Sequence, residues 1–249
     1  MKTVLITGCS SGFGRDTASY FLAQGWNVIA TMRTPNADIL PKSDKLRLIK
    51  LDVTDDASIT AAIKDAGKID VLVNNAGIGW LNAVEGTSME VVRQIFETNT
   101  FGTIAMTKAV LPQFRAQGSG IIVNVTSAVT LKPLLLLAVY TASKAAIEGF
   151  TESMALELEP FNIQARIVLP GRAPTTQFGE NARSLVKKEG GFPEAYSGLL
   201  EQVYTNFEQE TPDMLTQSND VAKAIWRAAT DPSCPVRLPA GADAVALSS

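Results

Sequence analysis

The chain has 249 residues, 46% of them hydrophobic and 19% charged, and a formal net charge of −3. This composition is globular, is long enough for a sizeable core, and lacks the basic excess of a nucleic-acid binder. There is no histidine and there are two cysteines, Cys9 and Cys234, which excludes Ser-His-Asp and Cys-His catalysis, His-ligated metals and a disulfide framework.

Val4-Leu5-Ile6 reads as a short buried strand. The apolar run there is too short for a signal peptide, and Pro133 to Tyr140 is too short to span a bilayer. The expectation is a cytoplasmic protein with no membrane partner. Thr7-Gly8-Cys9-Ser10-Ser11-Gly12-Phe13-Gly14 follows, then a helix-like Arg15 to Gln24. Strand, glycine-rich turn and helix make a phosphate cradle: glycines admit the ligand to the backbone, and the helix N-terminus supplies N–H groups and a positive dipole end. The same glycines would also serve a plain tight turn.

Asn27 to Thr31 is the second strand, followed by Met32 and Arg33. An acid at this point suits a ribose 2′-OH, and an arginine suits a 2′-phosphate. Leu46 to Leu51 is the third strand and runs into Asp52-Val53. Asp55 suits the N-cap of a helix that reaches about Lys64. Ile69 to Val73 is the fourth strand and leads into Asn74-Asn75-Ala76-Gly77, which is either a turn or a cofactor contact. A helix spans Ser88 to Arg115. It contains Asn99, a poor helix-interior residue that can bond the backbone and bend the helix.

Gly120 to Ser127 is the fifth strand. Tyr140-Thr141-Ala142-Ser143-Lys144 opens a helix that runs to Leu158, and the spacing of Tyr140 and Lys144 puts both on one face. A cationic lysine there favours the phenolate and equips the tyrosine for proton transfer. Taken alone, the pair equally describes a half-buried aromatic and a solvated lysine. Ile163 to Leu169 is the sixth strand and ends at Pro170-Gly171, and Pro235 to Pro239 is the last. Strand and helix alternate throughout. The fold expected is α/β: a single Rossmann-type doubly wound parallel sheet with helices on both faces, one domain over residues 1–249. Gly8, Asn74, Ser127 and Pro170 then all fall at carboxyl ends of strands, where ligands bind.

Residues 172–217 read as a lid. Phe178, Phe192, Tyr196, Leu199, Leu200, Tyr204 and Phe207 lie in it, and positions 196, 199, 200, 203, 204 and 207 share a helical face. Packing on the core is expected for most of them, with one or two facing a pocket.

Together these motifs resemble the short-chain dehydrogenase/reductase family, in its single-domain branch of about 250 residues. Thr7 to Gly14 is similar to that family's TGxxxGxG, Asn74 to Gly77 to its NNAG, and Pro170-Gly171 with Thr175 to its PGxxxT. Asn99, Ser127, Tyr140 and Lys144 match its catalytic four. The resemblance implies that Tyr140 protonates a ketone oxygen and that Lys144 lowers the Tyr140 pKa and bonds the nicotinamide ribose. It implies that Ser127 polarises the carbonyl and that Asn99 holds a water linking Lys144 to solvent. Implied cofactor contacts are Gly8, Ser10, Ser11, Gly12, Phe13, Gly14, Arg33, Asp52, Val53, Asn75, Ala76, Gly77, Tyr140, Lys144, Pro170, Gly171, Ala173 and Thr175.

With Arg33 in place of an acid, the expected cofactor is NADP(H). The expected activity is reversible reduction of an apolar ketone or aldehyde. The alternatives are an NAD-linked alcohol dehydrogenase and a catalytically silent nucleotide sensor. A homodimer or homotetramer is expected from the resemblance. Three features depart from the family pattern: the run Leu134 to Leu137, which is either core or pocket wall; Ala173, where a larger apolar residue is common; and an ending after Pro239 without the usual glycines.

Overall fold

Seven short apolar runs pair side by side in this computed structural model, which describes residues 1–248. They are β1 (Thr3–Ile6), β2 (Asn27–Met32), β3 (Leu46–Lys50), β4 (Val71–Asn74), β5 (Gly120–Val125), β6 (Ile163–Pro170) and β7 (Arg237–Ala240). Their order across the sheet is β3-β2-β1-β4-β5-β6-β7, and every pairing is parallel. Parallel strands need both faces covered, which is why the central strands are continuous apolar runs and do not alternate. Val4, Leu5 and Ile6 are fully buried, as are Leu72 and Val73. The chain winds outward from β1 to β3, then crosses back to β4. A crevice at the carboxyl ends of β1 and β4 follows from that reversal.

The helices are α1 (Gly12–Ala23), α2 (Asp56–Ala66), α3 (Met89–Phe96), α4 (Gly102–Gln117), α5 (Ala138–Leu158), α6 (Phe178–Lys188), α7 (Ser197–Glu208), α8 (Ser218–Thr230) and α9 (Ala242–Leu247). On one face of the sheet, Phe21 of α1 and Ile225 of α8 pack against Val4, Val28 and Val73. On the other, Met106 and Phe114 of α4 and Leu158 of α5 pack against Leu5, Leu72 and Ile122. Each such fully buried side chain contributes about 1.5–3 kcal/mol by leaving water. Asp55 caps α2 as its position suggests, accepting from the N–H of Ala57 at 2.9 Å and of Ser58 at 3.2 Å.

Three sequence expectations are revised. The single helix over 88–115 is α3 and α4 joined by a turn of π-helix, Glu97–Phe101, and Asn99 lies inside that turn. Its side chain accepts from Ile78 N at 2.8 Å and donates to Ile78 O at 2.9 Å. It therefore bonds both backbone groups of a residue in a neighbouring loop, and the helix widens at this turn. The leucine run is not core. Leu134 and Leu135 are each 43% exposed, and Leu136 adopts a left-handed φ of 63°. The reason is its peptide: Leu136 O accepts from Asn82 N at 2.9 Å, and that loop-to-loop bond fixes the backbone. Only Leu137 of the four packs inward, beside Trp80 and Tyr140. In the lid, Val203 is buried but Leu199 and Tyr204 are exposed, so the apolar stripe of α7 is wider than its contact with the core.

Candidate active site

The turn after β1 is shaped by close approach. Gly8 has φ +74°, and a Cβ there would lie 2.8 Å from the Ala76 Cα. A Cβ on Gly14 would strike the Gly8 carbonyl and the Asn75 amide. Gly12 has φ +53°. Only glycine satisfies these positions, and the outcome is a shallow cradle ending in α1. Ser11 is the N-cap of α1 with extended backbone, and its hydroxyl makes no capping bond. The first N–H groups of the helix are thus not taken by a cap, and they point to where an anion would sit. Ser10 is exposed, and Ser11 and Phe13 are half-buried. These features fit a dinucleotide phosphate.

Asn75 holds the cradle from behind. Its amide donates to Thr7 O at 2.9 Å and to Gly8 O at 3.2 Å, while Thr7 Oγ1 accepts from the N–H groups of Asn75 and Ala76. Asn74 serves the sheet: its amide donates to Asn124 Oδ1 at 2.9 Å, and Asn124 in turn donates to Thr151 Oγ1 at 2.8 Å. Thus β4, β5 and α5 are joined by a buried polar chain that sequence reading did not find beyond Asn74.

At the end of β2, Arg33 is exposed. Asp52, at the end of β3, accepts from Thr54 N and Thr54 Oγ1, and these bonds hold its carboxyl below the usual range, with the Arg33 charge a smaller contribution. Val53 is buried against Gly102. Beyond β6, Gly171 N donates to Ala240 O and Thr216 Oγ1. Ala173 O accepts from Thr176 N at 3.1 Å and Thr176 Oγ1 at 2.8 Å. Thr175 is exposed. Thr176, missed in the sequence, stands 3.4 Å from the Cβ position of Gly12, so this turn arches over to the glycine cradle.

Tyr140 and Lys144 lie on α5 and are 7% and 6% exposed. The Lys144 ammonium is 5.9 Å from the Tyr140 ring centroid and donates to Val125 O at 3.1 Å. Ser127, at the end of β5, hydrogen-bonds the Tyr140 phenol. Asn99 joins from the π turn, donating to Ser143 Oγ at 3.1 Å. A Cβ on Gly77 would lie 3.2 Å from Asn99 Oδ1 and 3.4 Å from Lys144 Nζ, so Gly77 is the space in which those two meet. The ends of β4 and β5, the π turn and α5 thereby converge on the four side chains.

Burial governs their protonation. It pushes Tyr140 up to about 12, against a smaller lowering by Ser127. It pushes Lys144 down to about 8, against a smaller raising by Glu148. The sequence reading has Lys144 lower the Tyr140 pKa; in the fold the largest effect on the phenol is its desolvation, which raises it. At neutral pH the phenol holds its proton, and the ammonium is mostly charged.

The start of α6 packs on this group. A Cβ on Gly79 would lie 2.6 Å from the Phe178 ring, and the same ring packs against Tyr140. Asn82 donates to Gly191 O at 3.0 Å, and the Tyr196 hydroxyl donates to Glu85 at 2.8 Å. Arg172 pairs with Glu210 and stacks 4.0 Å over Phe207. A cleft of about 250 Å3, lined by Asn27, Lys45, Arg47 and Lys68, opens at the amino ends of the strands, away from these groups. Among the described residues there is no cluster of metal-ligating side chains, and no helix is long and apolar enough to cross a membrane.

A parallel doubly wound sheet with a glycine cradle and a Ser-Tyr-Lys group at its carboxyl edge defines a class, and known proteins bear it out. The model of the short chain dehydrogenase family matches residues 2–185. The chain is 38% identical over 235 residues to the uncharacterized oxidoreductase YusZ of Bacillus subtilis, covering 87% of this chain and 84% of that one. It is 37% identical to retinol dehydrogenase 8 of Bos taurus, covering 88% and 69%. A short-chain dehydrogenase structure from Streptomyces avermitilis superposes with a TM-score of 0.83 at 34% identity, over 99% of this chain and 90% of that one. The chain belongs to the short-chain dehydrogenase family of oxidoreductases.

Proposed function

We propose that the protein is an NADP(H)-dependent carbonyl reductase that interconverts an apolar ketone or aldehyde and its alcohol. The observation that carries this reading is the convergence of Ser127, Tyr140 and Lys144 in one buried group beside the glycine cradle. Gly8 to Gly14 would hold the pyrophosphate, Arg33 the 2′-phosphate, and Asn75 to Gly77 with Pro170 to Thr175 the rest of the dinucleotide. The bound cofactor supplies the hydride.

The chain supplies position and a proton. Ser127 Oγ donates to the substrate oxygen and aligns it with Tyr140. Tyr140 Oη gives its proton to the same oxygen, and a phenol held near 12 is protonated and ready for that step at neutral pH. The charge of Lys144 stabilises the phenolate that results. Asn99 keeps the π turn and the Ile78 loop in register around them. Phe178, with Leu137, Trp80 and Leu185 nearby, presents apolar surface beside Tyr140, which favours an apolar substrate. The chain is read as one domain over 1–249 with a lid at 172–217. It is also read as a homodimer or homotetramer that pairs α4 and α5 across a two-fold axis, where Phe101 and Leu156 are exposed.

Tyr140→Phe tests the proposal. Turnover of straight-chain ketones with NADPH should fall at least ~100-fold with cofactor binding kept. Near-normal reduction by the variant would refute it.

A further inference from the structure

Glu148 takes no part in the chemistry described above. It is 4% exposed, and a buried carboxylate requires partners. It follows Lys144 by one turn of α5, as Lys144 follows Tyr140. All three therefore share one stripe of the helix.

Its partners come from the end of β5 and from β7. Thr130 Oγ1 lies 2.6 Å from Glu148 Oε1 and 2.9 Å from Ser127 O. A hydroxyl has a single proton, so an ionised Glu148 draws it and leaves the serine carbonyl to the Thr130 N–H. The Thr126 hydroxyl donates to Val168 O at 3.5 Å and acts on the Glu148 carboxyl only as a smaller lowering of its pKa. Glu148 thus ties down the flank of the serine that carries Thr130. From β7, Arg237 forms an ion pair with Glu148 and reaches Glu152 at 3.0 Å. The charged and titratable groups around the stripe are Tyr140, Lys144, Glu148 and Glu152 on α5 and Arg237 on β7. Ser127, Thr126 and Thr130 add hydroxyls, and Asn99 adds a neutral amide.

We propose that Glu148 is a positioning residue for this site: its carboxylate pins the Ser127 turn and places a negative charge behind Lys144. The inference rests on the reading of Tyr140 and Lys144 given above. It assigns to one buried group two tasks, the geometry of the serine and the charge of the lysine. Without that charge, burial alone would act on the lysine, together with an uncompensated Arg237.

Glu148→Gln keeps the shape and removes the charge. The Lys144 titration can be followed directly, without substrate, by 13C NMR of protein labelled at lysine Cε, with the signal assigned by its loss in Lys144→Arg. The midpoint in Glu148→Gln should fall by at least about half a unit. With 2-decanone and NADPH, kcat should fall about 10-fold while KM changes less than about 3-fold. Arg237→Gln leaves the carboxylate in place, so the midpoint should hold or rise. Thr130→Val cuts one tie and keeps the charge, so kcat should fall at an unchanged midpoint; it also serves if Glu148→Gln does not fold. An unmoved Lys144 midpoint in folded Glu148→Gln overturns the proposal, as does an equal fall in Arg237→Gln or full activity in Thr130→Val. Tyr140→Phe is assayed alongside. If it retains turnover, the catalytic reading fails, while the NMR titration still judges Glu148.

Discussion

The rings of Phe178 and Tyr140 lie 5.9 Å apart, centroid to centroid, with their planes at 59°. The first residue of α6 thus rests on Tyr140, the proposed proton donor. An aromatic pair of this kind contributes about 0.5–1.5 kcal/mol beyond its buried area, enough to bias the lid without locking it. Phe178→Ala should therefore widen the site. Bulky ketones should gain in kcat/KM relative to small ones, with the KM for small ketones raised several-fold. A steady-state series of ketones of increasing size checks this, and an unchanged size profile would remove Phe178 from the pocket wall.

In the proposed reading, Arg33 selects NADP(H) over NAD(H). It stands exposed just beyond β2 where Met32 offers no carboxylate to a ribose. A guanidinium offers a planar fork and a permanent charge to a 2′-phosphate. Charge-assisted bonds contribute roughly 1.5–3 kcal/mol, less when exposed. Arg33→Ala should weaken NADPH about 10- to 100-fold by that measure and leave NADH nearly unchanged. Michaelis constants for both cofactors test it. Equal losses, or a parent protein that already prefers NADH, would overturn the assignment.

The strands in chain order and the pairing of Tyr140 with Lys144 were legible because each is written locally. Apolar runs between glycine and polar turns mark strands, and Tyr140 and Lys144 are joined by helical spacing alone. Asn99 was legible as a polar misfit, but its partner was not: Ile78 is far from it in sequence, and no local pattern links them. The same holds for Thr176 at Gly12 and for Glu148, whose neighbours Thr130 and Arg237 come from other elements. The leucine run stayed open between core and pocket wall because hydrophobicity says what a residue gains from burial, while the loop is also held by a backbone bond from Asn82 to Leu136.

Alkaline stability should reflect three buried groups. Lys144 titrates near 8 in the fold against 10.5 unfolded, so between those values the unfolded chain holds more protons and stability rises with pH. Cys9 and Tyr140 run the other way. Both are pushed up to about 12, from 9.0 and 10.0, so their contribution is whole below those lower values and is lost as pH climbs toward 12. Two groups outweigh one, and stability should decline above about pH 10. Urea midpoints at pH 8 to 11 should show that decline, and Cys9→Ala should flatten it. Parallel declines in parent and variant would show that the thiol plays no part.

Arg237, the guanidinium paired with Glu148, sits on β7, the last of the seven strands in chain order and an edge of the sheet. The order of synthesis therefore differs from the order of completion. Ser127, Tyr140 and Lys144 leave the ribosome well before the strand that closes the charge network beneath them. A nascent chain can carry every reacting group and still leave Glu148 without its counter-charge. The full set of charges around α5, Arg237 included, is therefore assembled only when the last strand docks.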